Sequence, residues 1–231
     1  MNNIFKVYGL RTSGTNWLQW LIENNIKDSV VFRNQLAWKH GNPTNILDWS
    51  GDIVDWDDKI ALGTQYSSIV KSIQSEKLSN NKTILEIKEE VEKLFNSQNL
   101  INCFIVKHPY TFMDSRLKRN HNLELEIKDW NERIKAYFNF EYKSKFIMSY
   151  EKLNINPKGI LEEIANKFGL EINSDFKDTD DNLTHRFEAK GKRKLLNEDF
   201  ENYFKSKLNK STLDRIDSLI DEESLKLYKS L

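Results

Sequence analysis

Dense apolar runs of five or six residues alternate with longer stretches whose apolar positions recur every three or four residues, a rhythm that predicts buried strands joined by amphipathic helices. Ile4 to Tyr8 form the first run, and it stops at Gly9. From Trp17 the apolar positions Trp17, Leu18, Trp20, Leu21 and Ile22 suit a mostly buried helix, so the opening unit is strand, tight loop, helix. A second strand is expected around Val30 to Phe32, followed by the loop-forming Lys39-His40-Gly41-Asn42-Pro43. Residues 44 to 80 carry no clear period beyond a weak helical one through Ile69 and Ile73. Thr83 to Glu86 has the capping-box form, and Ile87, Val91, Leu94 and Phe95 extend an apolar stripe, predicting a helix over 84–96.

The run Ile101 to Val106 is almost continuously apolar, as in a strand covered on both faces. Trp130, Ile134, Tyr137 and Phe138 mark a helix, and Lys145 to Ser149 another short buried strand. Asn156-Pro157 opens a further helix with Pro at its first position, apolar residues at 160, 161, 164, 165 and 168, and Gly169 to close it. Strands alternating with helices point to an α/β fold of three layers, α/β/α, around a central parallel sheet. A chain of 231 residues is long enough for one sizeable core, so a single domain over 1–231 is expected.

Charge removes two classes of partner. Lys plus Arg and Asp plus Glu both number 35, leaving a formal net charge of +0 and no general attraction to nucleic acid or an anionic membrane. Any anion site must therefore be local. Cys103, the single cysteine, lies within an apolar run and fits a packing role in a reducing compartment. The start MNNIFKVYG lacks the features of an export signal, and no run approaches the ~20 apolar residues of a membrane span, so a cytoplasmic location is expected.

In parallel sheets ligands bind beyond the carboxyl ends of the strands. Those ends here carry Gly9 to Asn16, then Lys39-His40, then Lys107-His108-Pro109, then Tyr150-Glu151. The first loop has the glycine spacing of a nucleoside triphosphatase loop, but Thr15 and Asn16 stand where that loop places Lys and then Ser or Thr. Ser13, Gly14 and Thr15 at the mouth of a helix still offer backbone N–H groups, two hydroxyls and the positive end of the helix dipole to an anion. Without the Lys, which reaches the outer phosphates in triphosphatases, a metal-assisted triphosphate reaction is disfavoured.

Four segments resemble the sulfotransferases that use 3′-phosphoadenosine 5′-phosphosulfate (PAPS). Ser13-Gly14-Thr15-Asn16-Trp17 is similar to the family's first loop. Lys107, Pro109 and Ser115 reproduce the spacing of its 3′-phosphate segment, a basic strand end followed by a Ser at the start of the next helix. Phe146 to Leu153 is similar to its strand ending in Tyr-Glu-Asp-Leu. Phe187 to Gly191 resembles its segment ending in Arg-Lys-Gly, and Asp199 to Phe204 its downstream Asp-Trp-Lys-Asn-His-Phe. The resemblance implies a P-loop-like sulfotransferase fold. It implies a loop of Arg11, Thr12, Ser13, Gly14, Thr15 and Asn16 gripping the 5′-phosphosulfate, with Trp17 stacked on the adenine and Tyr150 near it. Lys107 and Ser115 would take the 3′-phosphate, helped by Lys190, Gly191 and Lys192, with Arg193 substituting for the Arg that Ala189 replaces. Lys107 stands for a more usual Arg, which removes the fork geometry.

The implied co-substrate is PAPS, with no metal demanded, because cations and loop N–H groups can supply the electrostatic stabilisation. The implied acceptor is a hydroxyl or amine of a small molecule, glycan or lipid. His40, in a Gly/Pro/Asn-flanked loop after the second strand, is the candidate general base, as an unperturbed imidazole titrates near ~6.5. Relatives carry a basic residue immediately before Ser-Gly-Thr, where this chain has Thr12, so Arg11 one position earlier, or Lys39, is the candidate leaving-group cation. Two other readings stay open: a non-catalytic nucleotide-binding protein on the same fold, and a small-molecule kinase. The kinase requires a metal-binding Asp at a neighbouring strand end, where this chain has Lys107. Trp49, Trp56 and Tyr66 are candidates to line an acceptor pocket.

Overall fold

Four strands, all parallel, lie side by side in the order β2-β1-β3-β4, in a computed structural model that describes residues 3–32, 39–40, 100–142, 144–178 and 200–231. β1 spans Asn3–Gly9, β2 Ser29–Phe32, β3 Leu100–Val106 and β4 Lys145–Ser149. The helices are α1 (Thr15–Asn25), α2 (Pro109–Leu117), α3 (Leu123–Phe138), α4 (Tyr150–Ile155), α5 (Pro157–Phe168), α6 (Phe200–Lys205), α7 (Lys210–Leu219) and α8 (Glu222–Lys229). The expected helix over 84–96, the aromatic residues Trp49, Trp56 and Tyr66, and the segment carrying Lys190, Gly191, Lys192 and Arg193 all lie outside the described residues.

Alternation along the strands sorts the core into two halves, since successive side chains leave opposite faces of a sheet. Ile4 and Tyr8 of β1 join Leu100, Phe104 and Val106 of β3 against α2, α3, α7 and α8. Phe5 and Val7 join Ile101, Cys103 and Ile105 on the other face, against α1 and α5. The arrangement is the expected three-layer α/β/α fold with a P-loop-like strand, loop and helix at its start. Cys103 is fully buried, and burial pushes its thiol up to about 12, in keeping with a packing role. β4 departs from expectation: Lys145, Phe146 and Ile147 are half-buried, because β4 ends the row of described strands and has a neighbour on one side.

Helix ends follow local chemistry. Asn156 caps α5 by accepting from the Gly159 N–H, Pro157 supplies its first turn, and Gly169 closes it in the left-handed conformation at φ 66°. Among the described residues no helix is long and apolar enough to cross a membrane.

The strand order fixes where a ligand belongs. From β1 the chain moves outward to β2, then returns past β1 to β3 and goes outward again to β4. The reversal falls between β1 and β3, and a crevice opens at the carboxyl ends of such a pair. Gly9 pairs with Ile105, and Val106 with Ser149, so the ends of β1, β3 and β4 finish along one edge.

Candidate functional site

The loop after β1 is shaped by two glycines and one strained threonine. A Cβ on Gly9 would stand 2.4 Å from Ser13 Oγ and 2.9 Å from the Ile105 carbonyl, so only glycine lets the loop fold back against β3. Gly14 caps α1 with φ 83°, and a Cβ there would strike the Tyr150 ring at 2.8 Å. Thr12 also adopts a left-handed conformation, with φ 68°, uncommon for a residue with a Cβ.

The cap position of α1 is Gly14, so no cap side chain bonds the N–H groups of its first turn. The hydroxyls are arranged differently from expectation. Ser13 is fully buried and donates its hydroxyl proton to the Leu10 carbonyl at 2.6 Å, committing it to closing the loop, and Thr15 is buried as well. The loop therefore presents chiefly its backbone to an anion.

Lys39 and His40 are brought to this loop from beyond β2. The Gly9 N–H donates to the Lys39 carbonyl at 2.9 Å, and His40 Nδ1 lies 2.7 Å from the Gly9 carbonyl. A carbonyl oxygen only accepts, so Nδ1 carries the proton and Nε2 is the ring's basic nitrogen. The Lys39 ammonium donates to Asn16 Oδ1, placing a cation at the mouth of α1. Arg11 is exposed and shares with His40 a cleft of about 230 Å³. His40 differs from the ~6.5 of an unperturbed imidazole: burial lowers it to about 4, reinforced by the charges of Lys39, Arg11 and Arg116 and opposed by the bond to Gly9.

Lys107, the first residue beyond β3, reaches the same loop. Its ammonium donates to Ser115 Oγ at 2.9 Å and to the Thr12 carbonyl at 3.3 Å, and it stands 4.8 Å from the centroid of the Tyr150 ring. Burial lowers Lys107 to about 8, opposed by the charges of Glu151 and Asp114. Its carbonyl accepts from Trp130 Nε1 at 2.7 Å, which anchors the strand end to α3. Ser115 is not at the start of a helix, as its spacing suggested. Pro109 already begins α2, capped by His108, so Ser115 falls at the seventh position and donates back to the Thr111 carbonyl at 3.0 Å. It meets Lys107 by side chain alone.

His108 and Glu151 form the support beneath. His108 Nδ1 accepts from the Tyr110 N–H at 3.3 Å, and burial lowers the ring to about 4. The buried Glu151 carboxylate accepts from the His108 N–H at 3.0 Å and from the Tyr228 hydroxyl at 2.8 Å, tying the end of β3 to α4 and α8. Burial raises Glu151 above the ordinary carboxylate range, against these hydrogen bonds.

The structure thus gathers Arg11 through Asn16, Lys39, His40, Lys107, Ser115 and Tyr150 at one edge, while Trp17 is half-buried against the α1-side core. Sequence reasoning missed the anchoring roles of Glu151, Tyr228 and Trp130, and the pair Arg116 and Arg133 that face His40 across the cleft. Glu151 carried one signal, being a carboxylate directly after a buried strand and Tyr150.

No family model matches the chain, and no curated protein matches it. Among solved structures it is similar to the sulfotransferase domain from the Synechococcus PCC 7002 olefin synthase, at 13% identity and a TM-score of 0.46, covering 100% of this chain and 94% of that one.

Proposed function

We propose that this chain moves a sulfuryl group from PAPS to a hydroxyl or amine of a small-molecule, glycan or lipid acceptor. One observation carries the reading: Lys107 donates to both Ser115 and the Thr12 carbonyl, so the two phosphate-binding segments expected from the sequence meet at the β1/β3 crevice. In the proposed complex the N–H groups at the start of α1, with Lys39, hold the 5′-phosphosulfate. Lys107 exchanges the Thr12 carbonyl for an oxygen of the 3′-phosphate while keeping Ser115, and Tyr150 lies by the adenine. Trp17, Lys190, Gly191 and Lys192 are assigned to the nucleotide by resemblance.

In the transfer step the acceptor oxygen forms a bond to sulfur as the bond from sulfur to the 5′-phosphate oxygen breaks. The hydroxyl proton passes to His40 Nε2, and the electron pair of the broken bond stays on the phosphate, stabilised by Lys39, Arg11 and the loop N–H groups. His40 is neutral at pH 7, the form a base requires, although an imidazole near 4 is a weak base. Phosphate charge beside Lys39 and Arg11 offsets the cations that lower His40 and so raises its basicity on binding.

A second reading, a nucleotide-binding protein without transferase activity, is favoured by the position of Arg11, exposed in the cleft one residue away from where relatives carry their cation. Calorimetry with adenosine 3′,5′-bisphosphate and with ATP tests the shared part: tight binding of the bisphosphate and not of ATP is expected, and the reverse ends both readings. Transfer of labelled sulfate from PAPS to a panel of alcohols then separates them. His40→Ala should lower turnover at least ~100-fold with bisphosphate binding intact, and near-normal turnover would remove His40 from the mechanism.

A further inference from the structure

The hydroxyl of Ser115 has a single proton, and its neighbours decide where that proton goes. Ser115 Oγ lies 2.9 Å from Lys107 Nζ and 3.0 Å from the Thr111 carbonyl oxygen. An ammonium donates and cannot accept, so the Lys107 contact occupies a lone pair of the Ser115 oxygen and leaves its proton for Thr111. This is the bond to the carbonyl four residues earlier that serine makes inside a helix. At the seventh position of α2 the Ser115 backbone N–H also belongs to the helical ladder. Both donors of the residue are therefore committed within the fold.

A phosphate monoester carries close to two negative charges at pH 7, and its free oxygens accept hydrogen bonds. Beside Ser115 such a group meets a lone pair, and could bond the hydroxyl only by drawing its proton from Thr111. Lys107 supplies what the phosphate requires. The lysine depends in turn on Ser115, because among the described residues no carboxylate forms an ion pair with it. Asp114 accepts from Lys118 at 2.6 Å, and Glu151 accepts from the His108 N–H and the Tyr228 hydroxyl. Lys118 and Arg119 add only repulsion. The buried ammonium is thus held by the neutral oxygens of Ser115 and Thr12, with the Tyr150 ring beside it. Once a phosphate replaces the Thr12 carbonyl, Ser115 is the support that stays.

Resting on the reading that this crevice takes the 3′-phosphate of PAPS, we infer that Ser115 is a positioning residue, which aims the Lys107 ammonium at the phosphate and makes no bond to the ligand itself. The spacing that looked like two phosphate ligands is one ligand and its support.

A double-mutant cycle separates these roles. Binding of adenosine 3′,5′-bisphosphate is measured by calorimetry at pH 7 in the natural full chain, in Ser115→Ala, in Lys107→Met and in the double variant. Ser115→Ala should weaken binding about 3- to 10-fold in the natural chain and less than about twofold once Lys107 is Met. Ser115→Thr, which keeps the hydroxyl, should bind as the natural chain does. An equal loss from Ser115→Ala in both backgrounds overturns the assignment, since a direct bond to phosphate survives removal of the lysine; so does the absence of any loss in the natural chain. Alanine suits a helix interior, so the variant keeps α2. The ligand-free chain gives a second measurement, in which Lys107 is titrated by NMR with carbon-13 at the lysine ε positions and assigned by its missing signal in Lys107→Met. Its midpoint should move from about 8 in the natural chain toward about 7 in Ser115→Ala, where one oxygen around the charge is lost. An unmoved midpoint overturns the assignment whether or not a nucleotide binds. A chain that fails to bind the bisphosphate while the midpoint moves would sink the sulfuryl-transfer reading and leave Ser115 as the residue that holds the lysine.

Discussion

If Lys107 holds a phosphate as proposed, Lys107→Arg should remove the pH dependence that the lysine would impose on nucleotide binding. Burial holds Lys107 at about 8, so its ammonium, the form that bonds a phosphate, becomes scarce within the range of ordinary assays. If only the charged form binds, the apparent Kd is the intrinsic one divided by the charged fraction, which weakens binding by a factor of about 1.1 at pH 7, about 2 at pH 8 and about 11 at pH 9. The ligand contributes little to that slope, because a phosphate monoester loses its second proton near ~6. Arginine stays charged throughout and should give a flat profile, whereas Lys107→Met, which removes a charge-assisted bond worth ~1.5–3 kcal/mol, should weaken binding about 10- to 150-fold at pH 7. Calorimetric titration of adenosine 3′,5′-bisphosphate between pH 7 and 9.5 measures all three. A flat profile in the natural protein, or the same decline in Lys107→Arg, would refute the reasoning, because either would detach the phosphate from this side chain.

Two further expectations concern stability. Gly14→Ala forces a Cβ into a left-handed residue at φ 83° and against the Tyr150 ring at 2.8 Å, so a loss of roughly 1–3 kcal/mol is expected, seen as a fall in Tm of about 2–10 °C; an unchanged Tm would mean the loop is not held as described. His40 and His108 both stand at about 4 in the folded chain and near ~6.5 in the unfolded one, so between these values the unfolded chain binds more protons and stability falls as pH drops. Glu151, raised by burial, acts in the opposite sense above the ordinary carboxylate pKa, so the contrast must be read between variants. Urea unfolding at pH 7 and pH 5 should show a smaller loss in the double variant His40→Asn, His108→Asn than in the natural chain, and an equal loss would contradict the lowered imidazoles.

The strands and their ends were legible because each depends on a short local pattern. Ile101 to Val106 could be placed from its apolar run alone, and α5 from Asn156, Pro157 and Gly169, since caps and breakers act within a turn. The meeting of Lys107 with Thr12 was legible only as an inference from strand ends, because nothing in the intervening sequence records it. What could not be read was anything set by the far side of the molecule. Ser115 looked like a helix start until His108 and Pro109 placed that start six residues earlier, and His40 looked like an ordinary imidazole until burial and three cations lowered it. Arg116 and Arg133 carry no motif; packing of α2 against α3 is what turns them toward one cleft.

The pairing of β1 with β3 also governs when the crevice can exist. Thr12 and Lys107 are separated by 95 positions, so at a synthesis rate of ~5–20 residues per second the glycine loop leaves the ribosome several seconds, and up to about twenty, before the lysine that completes it. Through that interval the first strand and its helix have an uncovered sheet edge. Until residue 107 has emerged, the loop around Thr12 has no lysine to close it, and the edge of β1 that β3 will pair offers its backbone groups to other chains.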